Sequence, residues 1–311
     1  MKISFITTIL NEEESIGKLL ESLRDQSVLP DEVIIADGGS TDNTLSVISN
    51  FQFKIPNKNL KVKILKKIGN RSVGRNAAIE SSTGDIIVCS DAGCVLDKDW
   101  IKNITKPFED PQIDVVSGYY KGISKTIFQK CLIPYVLVMP DRVNINNFLP
   151  ATRSMAFRKP VWEKIGGFDE KYSHNEDYVF AKKIRNKFKI KFVKEAIVFW
   201  YPPRDFKNSF IMFFRFAYGD AEARIFRPKV FLIFLRYIIG VLLFGLAIIK
   251  MSVPILSFLL LCLILYVIWS IVKNYKYIND IKAYVYLPLL QFLSDSAVIL
   301  GTVFGFIKYG L

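Results

Sequence analysis

Histidine and cysteine are nearly missing from this 311-residue chain. His174 is the only histidine. Cys89, Cys94, Cys131 and Cys262 show no C-x-x-C spacing, and the last lies within an apolar run. This excludes a paired-cysteine zinc site and a disulfide framework, and predicts reduced thiols in a cytosolic setting. Acidic residues are also in deficit, 29 against 42 lysines and arginines, for a net charge of +13. Many basic residues lie among apolar and aromatic ones late in the chain, which favours anionic lipid and a nucleotide as partners over nucleic acid. A signal-peptide pattern is lacking too. Lys2 precedes only a short apolar run before Asn11 and three glutamates, so the first residues are expected to form a strand.

What the chain has in excess is apolar surface, 51% of its residues, and it is unevenly spread. Charged and turn residues punctuate the sequence as far as Lys229, after which long apolar runs take over. A soluble part over 1–204 is therefore expected, then aromatic and basic interfacial helices over 205–228, then a membrane region of two or three helices over 229–311. Val230 to Ile249 is apolar except for Arg236, and Val253 to Val272 carries no charge. Tyr284 to Ile307 is long enough but holds Pro288, Gln291 and Asp295. A central aspartate costs about 2.5–3.5 kcal/mol on insertion, so Asp295 is expected to face other helices or a polar lipid group. Only Lys250 is basic between the first two segments, whereas Lys273, Lys276 and Lys282 follow the second. The positive-inside rule then places that connector, and with it the soluble part, in the cytoplasm of a multi-pass protein of the cell membrane.

Within the soluble part, short apolar runs alternate with segments of helical spacing. Ile3 to Leu10, Asp31 to Ala36, Val62 to Leu65 and Asp85 to Ser90 read as strands; Ser15 to Leu23, Thr44 to Ser49 and Val73 to Glu80 read as helices. The expected class is α/β, a mostly parallel twisted sheet flanked by helices. Ligands of such sheets sit beyond the carboxyl ends of the strands, and Asn11, Asp37 and Asp91 all follow strand ends. From about Val115 the pattern is mixed, with no clean repeat and no low-complexity linker.

Two motifs have a double reading on their own residues. Asp37-Gly38-Gly39-Ser40-Thr41-Asp42 permits close backbone approach to a ligand, with Asp37 accepting from a base or ribose; it is equally a strand-to-helix turn with Asp42 capping the next helix. Glu176-Asp177 opens a helical pattern, where acidic residues are stabilised by the helix dipole, or else supplies a general base.

Taken together, Ser4 to Glu12, the Asp37 to Asp42 turn, Gly74-Arg75-Asn76, Ser90-Asp91-Ala92, Ile165 to Glu170 and Asn175-Glu176-Asp177 agree in order and spacing with a known family. Residues 3–200 resemble a family 2 glycosyltransferase with the GT-A nucleotide-sugar fold. The resemblance implies that Thr8, Asn11, Glu12, Asp37 and Gly39 border the nucleoside, with Asp37 reading the base. Arg75 would approach the diphosphate, and Asp91 would hold Mg²⁺ or Mn²⁺. The family's Asp-x-Asp motif ends here in Gly93, and a late histidine is replaced by Phe199-Trp200-Tyr201-Pro202-Pro203, so the metal would rest on Asp91, diphosphate oxygens and water.

Asp177 is the expected base and Glu176 is expected to position the acceptor. Gly167, His174 and Arg153 would lie on the donor or acceptor side, and Cys94 would be a packing residue. The implied activity is inverting transfer from a UDP- or GDP-linked sugar to a hydroxyl of a lipid-linked or membrane-associated acceptor. Two alternatives stand beside it: synthesis of a polyprenyl-phosphate sugar, and a non-catalytic membrane scaffold that binds nucleotide sugars.

Overall fold

The computed structural model describes residues 1–51 and 60–310. Two compact units emerge: residues 1–122 with 139–201, and residues 123–138 with 202–311.

The first unit is built on one eight-stranded sheet. Its strands are β1 (Ile3–Ile9), β2 (Glu32–Asp37), β3 (Lys61–Lys66), β4 (Ile86–Cys89), β5 (Cys94–Leu96), β6 (Val115–Gly122), β7 (Met155–Arg158) and β8 (Ile190–Trp200). They lie in the order β3-β2-β1-β4-β7-β6-β8-β5. Four of the seven pairings are parallel; β4–β7, β6–β7 and β5–β8 are antiparallel. The expected α/β class with parallel strands first is thus present, and the mixed pattern after Val115 corresponds to the mixed-direction half of the sheet.

Both faces of β1, β2 and β4 are covered, which is why these strands are mostly apolar and buried along nearly their whole length. On β1 and β2, Phe5, Ile9, Val33 and Ile35 pack on one side against Leu19, Leu20 and Leu23 of helix α1 (Ile16–Arg24). Ile6, Ile34 and Ala36 pack on the other, with Ile79 of α3 (Arg71–Glu80). Helices α2 (Thr44–Asn50), α4 (Trp100–Thr105), α6 (Lys159–Ile165) and α7 (Glu176–Arg185) complete this unit. Edge strand β3 is mostly exposed, and Lys61, Lys63 and Lys66 guard it against pairing with another chain.

The second unit is helical. It contains α5 (Ile127–Val136), α8 (Phe206–Glu222), α9 (Pro228–Ile249), α10 (Val253–Ile278) and α11 (Ala283–Tyr309). The last three are 22, 26 and 27 residues long and apolar enough to cross a membrane. Helix α5 follows β6 in the chain yet packs in this unit. Its Lys130 Nζ and Tyr135 hydroxyl donate to the carbonyls of Ile278 and Leu287, each at 2.8 Å. A continuous first domain over 1–204 does not separate this segment. Helix α8 lies along α11, where Gly301 and Gly305 let the backbones approach: a Cβ on Gly305 would sit 2.6 Å from that of Ala221.

Asp295, 1% exposed, is answered by its neighbours as its position demands. It accepts from Arg236 Nη2 at 2.8 Å, the Tyr266 hydroxyl at 2.5 Å, the Tyr237 hydroxyl at 3.1 Å and Gln291 Nε2 at 3.0 Å.

Candidate active site

The carboxyl ends of β1 and β2 form one hydrogen-bonded lip. Asn11 takes a left-handed conformation (φ 56°), and its Oδ1 accepts from the Thr41 amide at 2.8 Å while its own amide donates to Ser40 Oγ at 3.0 Å. The Glu12 amide donates to Thr44 Oγ1 at 2.7 Å, and its carbonyl receives the Ser15 and Ile16 amides that begin α1. Asp37 is 1% exposed; one carboxylate oxygen accepts the Ser40 amide and hydroxyl at 2.9 and 2.7 Å, and the other has no hydrogen-bond partner among the described residues. Asp37 therefore shapes the turn from beneath, and Gly39, at φ 104°, completes it. Asp42 accepts the Thr44 amide at 3.0 Å, at the first residue of α2. Thr8 faces α3, where a Cβ on Gly74 would come within 3.0 Å of its methyl group.

The next residue of α3 forms the charged centre. Arg75 is 4% exposed and bridges two carboxylates, donating to Asp91 Oδ1 at 3.0 Å and to Glu176 Oε1. Phe168 lies beneath its guanidinium, 5.6 Å away, and is stacked in turn on Phe180 at 4.1 Å. Asp91 also accepts from Thr152 Oγ1 at 3.3 Å, and Arg153 Nε stands 3.9 Å from its second oxygen. The Arg153 guanidinium rests over Trp200 at 4.6 Å and Tyr120 at 5.9 Å.

Asp177 shares this field but makes a different balance. Burial and the adjacent Glu176 carboxylate raise its pKa above the ordinary aspartate value, and Arg75 offsets them only in part. At Asp91 burial opposes ionisation, but Arg75, Arg153 and Arg71 outweigh it and hold the carboxyl below its usual range. Two acids of one site are thus pushed apart, an arrangement suited to acid–base work. Burial drives the thiols of Cys89 and Cys94 up to about 12, which suits packing and not nucleophilic attack.

The loop before α7 is fixed by Asn76. Its Oδ1 accepts from Trp162 Nε1 at 3.0 Å and the Phe168 amide at 2.9 Å, and its Nδ2 donates to the Phe168 carbonyl at 2.8 Å. Gly167 has φ 74°, and a Cβ there would meet Asn76 Oδ1 at 2.8 Å. His174 is half-buried on the turn that enters α7.

The structure therefore gathers Arg75, Asp91, Arg153, Glu176 and Asp177 into one electrostatic unit, with Asn11, Glu12, Asp37 and Gly39 on the lip at neighbouring strand ends. Glu176, expected to position the acceptor, is 4% exposed and pairs with Arg75. Thr152 and Tyr120 complete the site without a sequence signal of their own, since each acts through a residue distant in the chain; Asn76 and Trp200 lie in stretches that the sequence singles out, but their contacts do not show there.

A family model described as "Glycosyl transferase family 2" matches residues 4–166, just over half of the chain. The chain belongs to this family. It is a glycosyltransferase of GT-A fold, and curated relatives agree. It is 27% identical over 224 residues to the O-antigen chain rhamnosyltransferase RfbN of Salmonella typhimurium, spanning 64% of this chain and 66% of that protein. It is 27% identical over 323 residues to a dolichyl N-acetyl-alpha-D-glucosaminyl phosphate 3-beta-D-2,3-diacetamido-2,3-dideoxy-beta-D-glucuronosyltransferase of Methanococcus voltae, covering 98% and 97% of the two chains. Among solved structures it resembles the mannosyltransferase PcManGT of Pyrobaculum calidifontis in complex with GDP-Man and Mn²⁺, with a TM-score of 0.69, 17% identity, and 96% and 86% of the chains covered.

The residues present fit a divalent cation in one limited way. Among the described residues no group of three His, Cys, Asp or Glu side chains converges. Asp91 is the carboxylate at the strand end, and a Cβ on Gly93 would meet nothing within 4 Å. One carboxylate, with the remaining positions left to diphosphate oxygens and water, suits Mg²⁺ or Mn²⁺.

Proposed function

We propose that this glycosyltransferase moves a sugar, with inversion, from a UDP- or GDP-linked donor to a hydroxyl of a lipid-linked or membrane-associated acceptor at the cytoplasmic face of the membrane. The observation that carries this reading is the division of labour around Arg75. Asp91 and Glu176 are tied to it, and Asp177 is left as the carboxylate of raised basicity.

In this reading the lip at Asn11, Glu12 and Gly39 receives the nucleoside, with Thr8 and Asp37 supporting it. Arg75 and Arg153 face the diphosphate, where positive charge stabilises the departing group. A cation at Asp91 would add Lewis-acid neutralisation of the same oxygens. Asp177 takes the proton of the acceptor hydroxyl as that oxygen attacks the anomeric carbon and the bond to the diphosphate breaks. Gly167 and His174 border the acceptor side. Synthesis of a polyprenyl-phosphate sugar would need no such base, because its acceptor is already anionic. The lysines at 273, 276 and 282 support the cytoplasmic placement, and the relatives' printed activities support a glycan or lipid-linked acceptor.

The test is turnover of UDP- and GDP-sugars by the full chain in nanodiscs, with analysis of the product's anomeric configuration. Asp177→Asn is expected to lower kcat by about 10²–10⁴ while nucleotide affinity is kept. Unchanged turnover in that variant would remove Asp177 from its role.

A further inference from the structure

Arg75 is 4% exposed and its two terminal nitrogens already donate to Asp91 and Glu176, so it presents less of its guanidinium to a donor diphosphate than Arg153 does. Arg153 is in the opposite condition. It stands 3.9 Å from Asp91, beyond hydrogen-bond reach, and among the described residues none of its N–H groups makes a hydrogen bond. Its side chain is 22% exposed. An arginine placed there for stability alone would be expected to close on the carboxylate beside it. Instead its guanidinium is supported by two ring faces, Trp200 at 4.6 Å and Tyr120 at 5.9 Å, which hold the head and leave its donors unspent. Arg71, exposed at the start of α3, adds a third positive charge to the surroundings of Asp91. Gly93 brings no second carboxylate to this side and leaves open space.

We propose that Arg153, shelved on Trp200 and Tyr120, is the main grip on the donor's diphosphate, so that nucleotide binding persists when divalent metal is removed. The inference rests on the donor-site reading above and assigns the charge that a fuller set of metal-binding carboxylates would otherwise recruit. A planar guanidinium with free N–H groups matches a phosphate through two parallel hydrogen bonds, each assisted by charge. Trp200 and Tyr120 are positioning residues that act through Arg153. The Arg75 charge is already answered by Asp91 and Glu176, so the donors left for an anion are those of Arg153, with Arg71 adding positive charge nearby. A divalent ion held by Asp91 then adds to an affinity that already exists.

The experiment is calorimetric titration of the full chain in detergent with UDP and with GDP, in EDTA and in Mn²⁺. For the better nucleotide, chelation is expected to weaken binding by less than about tenfold in the unaltered protein. Arg153→Ala should weaken binding in EDTA by about 10- to 100-fold, the range of a lost charge-assisted pair. Trp200→Leu, which keeps the arginine but removes its shelf, should act in the same direction and less. Gly93→Asp has room for its side chain and should convert the site to one whose nucleotide affinity depends steeply on Mn²⁺. Binding that vanishes on chelation in the unaltered protein, or an Arg153→Ala variant that binds normally in EDTA, overturns the inference and leaves the donor site standing. Failure of both nucleotides to bind under either condition overturns the donor-site reading and the inference with it.

Discussion

Each unit of this glycosyltransferase contains an aspartate with an arginine partner, Asp295 with Arg236 and Asp91 with Arg75, and the two sites end differently. In the helical unit Asp295 is saturated: four donors from Arg236, Tyr237, Tyr266 and Gln291 converge on its two oxygens. In the sheet unit Arg75 satisfies Asp91 and Glu176, and Asp177 beside them is left with a raised pKa in a field it does not balance. A buried charge that is fully answered holds helices together. One that is only partly answered stays reactive, because its proton affinity is still open to change by what binds next.

That contrast predicts a crossed pattern of mutational effects. The largest is on chemistry: Asp177→Asn should remove about 10²–10⁴ of turnover yet leave the thermal unfolding temperature equal or higher, because it deletes a like charge beside Glu176. Asp295→Ala should do the reverse, destabilising the detergent-solubilised protein by about 2–4 kcal/mol because it strands Arg236 and two hydroxyls. Equal stability in that variant would break the comparison. Replacing both Asp295 and Arg236 by leucine should recover part of the loss, as an apolar pair leaves nothing unanswered.

A smaller effect is expected at Gly167. Alanine there must adopt φ 74° and press on Asn76, costing about 1–3 kcal/mol locally and loosening the loop that seats Phe168 under Arg75. This should appear as reduced kcat/KM with the helical unit's stability unchanged. The finest test is the acid limb of the pH–rate profile. A base must be deprotonated to act, and Asp177 has a pKa above the ordinary aspartate value, so activity should rise with pH through a midpoint above about 4. A midpoint at or below that value would mean that Arg75 dominates Asp177 as it does Asp91.

Much of this was legible in the sequence for a local reason. The first four strands and three helices are each set by short-range spacing, and the structure places them within a residue or two of where the pattern puts them. The polar residues at strand ends were visible because a parallel sheet directs all its carboxyl ends to one side. Beyond Val115 the reading weakens, since β6, β7 and β8 pair in both directions and helix α5 leaves the sheet unit between them. Glu176 illustrates the limit. Beside Asp177 it reads as a second functional carboxylate, and only the fold brings it the partner Arg75, 101 residues away in the chain.

By itself the sequence determined the family, the alternation of strand and helix, the three long apolar helices and the identity of the acids at the strand ends. These depend on residues near one another in the chain or on motifs of fixed spacing. The tertiary structure alone decided which acid is bound, which is left basic, and which arginine keeps its donors free. Those properties are set by burial and by charges brought together from separate strands and helices, and no local pattern encodes them.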